Sequence, residues 1–189
     1  MNKRAAMVLI LAAATAHAAK TKVVSNEETV TVCMGTPIPG VPSARIVASG
    51  MFAGIGVRLH WVNYENCPPG AIRIAFRTGD DEGVEPGALA YAMPYQQRDI
   101  VVYFGRIRRF GKDLETNLLA HVLAHEITHI LQGVARHSEE GVMKATWTQD
   151  DRGRMLHNQP LPFTTLDVAL IHAGTQRRID RLTAAAPVP

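Results

Sequence analysis

His125-Glu126-Ile127-Thr128-His129 places two imidazoles and a carboxylate within five residues, at a spacing that only a helix can use. Positions i and i+4 lie one above the other on a helix face, so the Nε2 atoms of His125 and His129 can share one tetrahedral metal. Glu126, one position on, can reach a water on that metal from the side. Two ligands beside a general base is the division of labour of H-E-x-x-H, and it points to a zinc hydrolase. The surroundings read as a helix. Leu114, Leu118, Val122, Ile127, Ile130, Leu131 and Val134 recur near helical spacing, and no proline interrupts residues 113–133. Asp113 is the expected N-cap, Glu115 falls in the first turn where the macrodipole favours negative charge, and Gly133 can take the left-handed conformation that ends a helix.

A catalytic zinc takes three protein ligands and leaves one position for water, so a third ligand should follow. His137 is the natural candidate: beyond Gly133 the chain can turn and swing an imidazole back to the metal. Glu139, Glu140, Asp150 and Asp151 are the rivals. Gly141-Val142-Met143 is a glycine turn that delivers Met143 as an apolar floor beneath the imidazoles, or as simple core filling. His121 extends the i, i+4, i+8 row, yet a straight row spreads too far along the axis, and it reads as a neighbour of the site. His60, His157 and His172 are isolated and read as core, surface or supporting positions.

From His125 to Met143 the order H-E-x-x-H, glycine, third histidine and methionine turn resembles the metzincin clan of zinc metallopeptidases. In the usual pattern, H-E-x-x-H-x-x-G-x-x-H, the glycine and last histidine come three and six residues after the second histidine; here Gly133 is four on and His137 eight on. The run from His137 to Trp147 more closely resembles exported bacterial proteins with H-S-x-x-G-[IV]-M-x-x-x-W after H-E-x-x-H, described no further than as candidate metallopeptidases. The resemblance spans residues 88–172. It implies an α+β, zincin-like fold: a twisted mixed sheet, an active-site helix and a small C-terminal subdomain ending in a helix. Carried over by position, it implies His125, His129 and His137 as zinc ligands, Glu126 as base and Met143 as the turn methionine.

Residues 1–18 combine Lys3-Arg4, an apolar run from Ala5 to Ala16, and Ala16-His17-Ala18 as a small-x-small cleavage pattern, which is the build of a secretory signal peptide. The apolar run is short for a membrane span. The expectation is a secreted or periplasmic protein with no stable membrane span after cleavage. Removing the segment leaves 18 basic against 17 acidic side chains, so the mature chain is near neutral although the sequence pI is 9.1. Nothing in that balance argues for nucleic acid. The two cysteines, Cys33 and Cys67, then default to a disulfide in an oxidising compartment, a crosslink contributing roughly 3 to 4 kcal/mol in the chain-entropy model. The short stretch from Ala19 to Asn26 is too small to form a separate prodomain.

Residues 19–189 suit a single catalytic domain, with no internal repeat. Thr29–Met34, Arg58–Asn63, Ala71–Arg77, Ala88–Met93 and Asp99–Phe104 read as strands, and residues 43–57 as a helix. Residues 78–87 form an acidic loop, more simply solvated than calcium-binding. Beyond Met143 the chain reads as irregular and proline-marked until a final helix from Thr164 or Thr165 to about Leu182. By resemblance, Ala88–Pro94 is a candidate edge strand that would receive a peptide, with an interior hairpin as the plainer reading. Tyr91, Tyr95 and Tyr103 are candidates for an extra oxyanion donor. The function expected is zinc-dependent hydrolysis of a peptide or protein substrate, with Glu126 taking the proton of the attacking water. A secreted binding module on the same scaffold, and hydrolysis of a non-peptide amide, are the competing readings.

Overall fold

The fold is a computed structural model describing residues 28–35, 38–79 and 85–184; the signal-peptide segment, the Ala19–Asn26 stretch, the centre of the acidic loop and the last five residues lie outside them. β1 (Glu28–Met34), β2 (Val57–Asn63), β3 (Ile72–Arg77), β4 (Ala90–Ala92) and β5 (Asp99–Tyr103) form a five-stranded sheet in the order β2-β1-β3-β5-β4. The first three neighbouring pairs are parallel and β4 runs antiparallel to β5 at the edge. The two strands flanking the Cys67–Gly70 turn are therefore not partners, because β1 lies between them. α1 (Val41–Ala53) supplies the crossover that parallel β1 and β2 require.

α1 starts and ends before the expected 43–57. Pro42 falls in its first turn, where a missing N–H costs nothing, and a glycine pair stops it: Gly54 caps the last turn and Gly56 (φ +80°) releases the chain into β2. β1, flanked on both sides by strands, buries Val30, Val32, Cys33 and Met34. Cys33 is disulfide-bonded to Cys67, as expected, which ties the end of β1 to the loop after β2. The bond suits an oxidising compartment. No helix among the described residues is long and apolar enough to cross a membrane.

After β5 comes a short helix, α2 (Phe104–Arg108), and then α3 (Lys112–Gln132), which carries the His-Glu-x-x-His run. Its N-cap is Gly111, with no side-chain cap, so Asp113 sits inside the first turn and serves the macrodipole instead of the cap. Gly133 closes the helix in the left-handed conformation (φ 73°), its N–H donating to the His129 carbonyl. From Asn117 to Gln132 every residue of α3 is buried, because α1, α5 (Thr165–Ala184) and the β4/β5 side of the sheet all pack against it.

The segment after Met143 is not irregular throughout. α4 (Gln149–Leu156) begins at a reciprocal cap: Asp151 N–H donates to Thr148 Oγ1, and the Thr148 N–H donates to Asp151 Oδ2. α5 matches the expected final helix closely. It approaches α3 at Gly174, where a Cβ would stand 1.6 Å from the Leu131 carbonyl oxygen. Both atoms belong to helix backbones, so neither can step aside. Gly174→Ala should destabilise the protein by about 1–3 kcal/mol or more by prying α5 from α3. Gly50→Ala, on α1 with nothing within 4 Å of the added methyl, should be neutral or stabilising by up to about 1 kcal/mol. Paired denaturant melts check this, and equal midpoints would show that the helices do not meet this closely.

Candidate metal centre

His125, His129 and His137 converge: one ligand atom from each lies within 4.8 Å of the others. Among the described residues this is the sole group of three or more such side chains that does so. Helix α3 supplies the first two and the chain beyond Gly133 brings back the third, by the bend anticipated from sequence.

The hydrogen bonds of the first two rings fix where their lone pairs point. His125 Nδ1 lies 2.9 Å from the Val142 carbonyl oxygen and His129 Nδ1 lies 3.1 Å from that of Val134. A carbonyl can only accept, so both Nδ1 atoms carry the hydrogen and both Nε2 atoms present lone pairs. Burial pushes both rings down in pKa, to about 3 for His125 and about 4 for His129, and their mutual proximity adds to this for His125. Neutral rings leave no proton between Nε2 and Nε2, yet those atoms stand 3.0 Å apart. Two lone pairs facing at that distance repel unless a cation sits between them. The separation is close to the roughly 3.3 Å expected for two nitrogens each about 2.0–2.1 Å from one tetrahedral zinc. The residues present therefore fit a zinc ion. His137 reaches solvent, its ring 5.2 Å from that of His125 and 5.0 Å from that of His129, and partial burial and the Arg136 charge hold its pKa below the usual range.

Glu126 is buried beside them. Burial pushes its carboxyl up to about 8, opposed by a hydrogen bond from the backbone N–H of Ala92 on β4. Met143 is fully buried, and its carbonyl accepts the Ser138 N–H at 2.8 Å, so the methionine turn closes back on the residue after His137. Gly141 (φ +74°) allows that turn, and a Cβ there would meet the Pro162 carbonyl at 2.2 Å.

The other candidates named from the sequence, Asp150, His60 and His157 among them, do not join this group. His121 donates from Nδ1 to the Asn117 carbonyl (2.6 Å) and accepts the Leu161 N–H at Nε2 (3.0 Å), so it is a saturated supporting residue. His172 faces Glu28 at 3.1 Å. Glu139 and Glu140 are exposed, while Asp151 is engaged by Lys144 (2.5 Å) and the α4 cap. A cleft of about 700 Å³ runs along the three histidines and Glu126, lined by residues 85–92 and Pro94 on one side and residues 144–147 on the other. Tyr91 lines it; Tyr95 and Tyr103 do not.

Three contributors had no part in the expected site. Trp147 stands edge-on to His125 (5.7 Å) and His121 (6.2 Å), and shares the Val142 carbonyl with the His125 ring. Ala92 contributes only a backbone N–H. Asp167, on α5, is fully buried and accepts from Arg136 (2.6 Å), Ser138 (2.9 and 3.0 Å), Gln132 (3.4 Å) and both the N–H and hydroxyl of Thr164 (3.0 and 2.7 Å). Burial alone would raise its pKa; the donors from Thr164, Arg136 and Ser138 outweigh that and hold it below the usual carboxylate range. The Thr-x-x-Asp spacing of Thr164 and Asp167 signals a helix cap and nothing about residues 136–138.

No protein-family model matches the sequence, and no curated protein matches it. A solved structure does resemble it: the crystal structure of an archaemetzincin from Methanopyrus kandleri, with a TM-score of 0.58 and 14% identity, covering 84% of this chain and 100% of that one. At that identity the likeness is one of fold, and the α+β, zincin-like architecture expected from the sequence is the architecture of this chain.

Proposed function

We propose that this chain is a zinc-dependent endopeptidase of an exported, oxidising compartment, cleaving a peptide or protein laid along β4. The observation that carries the reading is the meeting of three imidazoles with a buried carboxyl in a cleft bordered by a sheet edge. A bound zinc would supply Lewis acidity, polarising the scissile carbonyl and easing deprotonation of an attacking water.

The chain's own groups divide the remaining work. Met93 N–H donates to the Asp99 carbonyl and Tyr103 N–H to the Leu89 carbonyl, so residues 89, 91 and 93 turn their backbone towards β5. By the alternation of an antiparallel ladder, Ala90 and Ala92 turn theirs to the open side. Ala92 N–H holds a Glu126 oxygen, which leaves the Ala90 N–H and C=O to pair with an extended substrate. The substrate strand and the base would thus be held to one another through one short strand. Glu126, its carboxyl pushed up to about 8 and within one residue of a ligand, is suited to take a proton from water and pass it to the leaving amine. His125 and His129 stay neutral and present Nε2 throughout.

Metal analysis of the purified mature chain, beside an unbiased peptide-library digest, tests this. One zinc per chain and chelator-sensitive cleavage are expected; Glu126→Gln should keep the metal and lose about a hundredfold or more in rate. Full activity in that variant would refute the assignment of the base. Zinc without peptide cleavage would favour a non-peptide amide substrate, and no zinc would favour a binding module.

The same variant has an opposite signature in the metal-free protein. Glu126 has its folded pKa raised from 4.5 to about 8, so its neutral form is the stable one in the fold. Its stabilising protonation is complete below about pH 4.5 and is lost as pH rises to about 8. Metal-free Glu126→Gln should therefore melt above metal-free wild type at pH 9 and close to it at pH 4.5. A constant difference between the two pH values would mean that Glu126 is not buried as described.

A further inference from the structure

His137 differs from the other two imidazoles in what holds it. Val142 and Val134 anchor the Nδ1 atoms of His125 and His129, whereas His137 makes no hydrogen bond among the described residues. Its ring is exposed and it stands on no helix or strand. Its position has to come from the backbone on either side, and both neighbours reach one buried group. Arg136 Nη1 donates to Asp167 Oδ1 at 2.6 Å and Ser138 Oγ donates to the same carboxylate at 2.9 Å, while Arg136 Nη2 also donates to Ser138 Oγ at 2.9 Å.

We infer that Asp167 is the positioning residue of the third metal ligand: by binding Arg136 and Ser138 it holds the peptide of His137 where the imidazole meets His125 and His129. This rests on the reading that the three histidines bind zinc. The simpler alternative is that Asp167 only caps α5. Its contacts go beyond that role. Oδ2 accepts the Thr164 N–H and hydroxyl, which is the cap, and shares the Ser138 hydroxyl with Oδ1. Oδ1 accepts Arg136 and the Gln132 amide at the end of α3, and a cap has no use for either. A carboxylate with no exposed surface is costly to bury, and the Arg136 charge offsets that cost only while the His137 segment is docked. Docking of α5 and placement of the third imidazole are therefore one event. Ser138 N–H, bonded to the Met143 carbonyl, carries the same constraint into the methionine turn.

Asp167→Asn keeps the shape and removes the charge; Ser138→Ala cuts the loop side alone; Thr164→Ala cuts the cap alone. Zinc affinity by chelator competition and the visible spectrum of the cobalt(II)-substituted mature protein are read for each. Asp167→Asn should bind zinc about ten- to a hundredfold more weakly, the range for partners that orient a ligand. Its cobalt bands should shift towards those of His137→Ala. Ser138→Ala should move both readouts the same way by less, and it keeps the test open if Asp167→Asn does not fold. Thr164→Ala should lower the melting temperature while leaving zinc affinity within about twofold. Wild-type affinity in folded Asp167→Asn or, where that does not fold, in Ser138→Ala, or equal weakening by Thr164→Ala, would overturn the inference with the metal reading intact. A wild type that binds neither zinc nor cobalt would overturn the metal reading, and this inference with it.

Discussion

Burial of α3 on every face from Asn117 to Gln132 is the constraint on which the rest of the structure depends. A helix stretch buried on every face has to find partners for its polar side chains, and α3 carries seven between Asn117 and Gln132, each bonded through at least one atom although Gln132 Oε1 is left without a partner among the described residues. Their partners come from all over the chain: Asn158 for Asn117, the Leu161 N–H for His121, Val142 for His125, Ala92 for Glu126, Val134 for His129 and Asp167 for Gln132. Within the helix, Thr128 donates to the Ala124 carbonyl and the second nitrogen of His121 donates to that of Asn117. The others reach segments outside the helix, so the edge strand, the methionine turn, the loop after α4 and the start of α5 are all placed by polar groups of one helix. The cleft exists where those segments fail to close over it.

This explains which parts were legible in the sequence. The helix and its reactive run were, because their spacing is local and the glycine after them marks a stop. The bend to His137 was, since a glycine followed by a histidine is a local signal too. The order of the strands was not: nothing near Arg58 or Ile72 records that β1 lies between them, because parallel pairing is settled by a crossover and by packing rather than by a turn. α4 escaped notice because it has no apolar stripe to detect, with Met155 as its one buried residue. Its start was nonetheless written in Thr148 and Asp151, a cap pattern that stands beside no hydrophobic run.

Asp167 shows a different limit. Its local pattern has a complete local explanation, a cap, and that explanation conceals a second use by residues about thirty positions away. Asp113 is the converse case, a good capping type two residues past where the cap is needed, displaced because Gly111 adopts a conformation (φ 92°) that starts the helix earlier. A capping residue named from sequence thus says where a helix end can be, while the packing of the preceding turn decides where it is.

The centre is also arranged against the stability of the metal-free fold. Burial drives His125 and His129 towards neutrality and then sets their lone pairs 3.0 Å apart, while it drives Glu126, in the same helical turn, towards its protonated form. No protonation state relieves all three groups, because a proton on a ring would be buried and a charge on Glu126 would be buried as well. A divalent cation relieves both conflicts together: it gives the lone pairs something to face and lowers the cost of a carboxylate nearby. The residues that resist it least are those on the rigid helix, whose Nδ1 hydrogens are already committed to carbonyls. The one free to depart is His137, and the neighbours of that residue are tied to a buried carboxylate. A buried polar cluster thus stands beside the least restrained of the centre's three imidazoles, which is where a three-ligand site built from a helix and a loop would otherwise be loose.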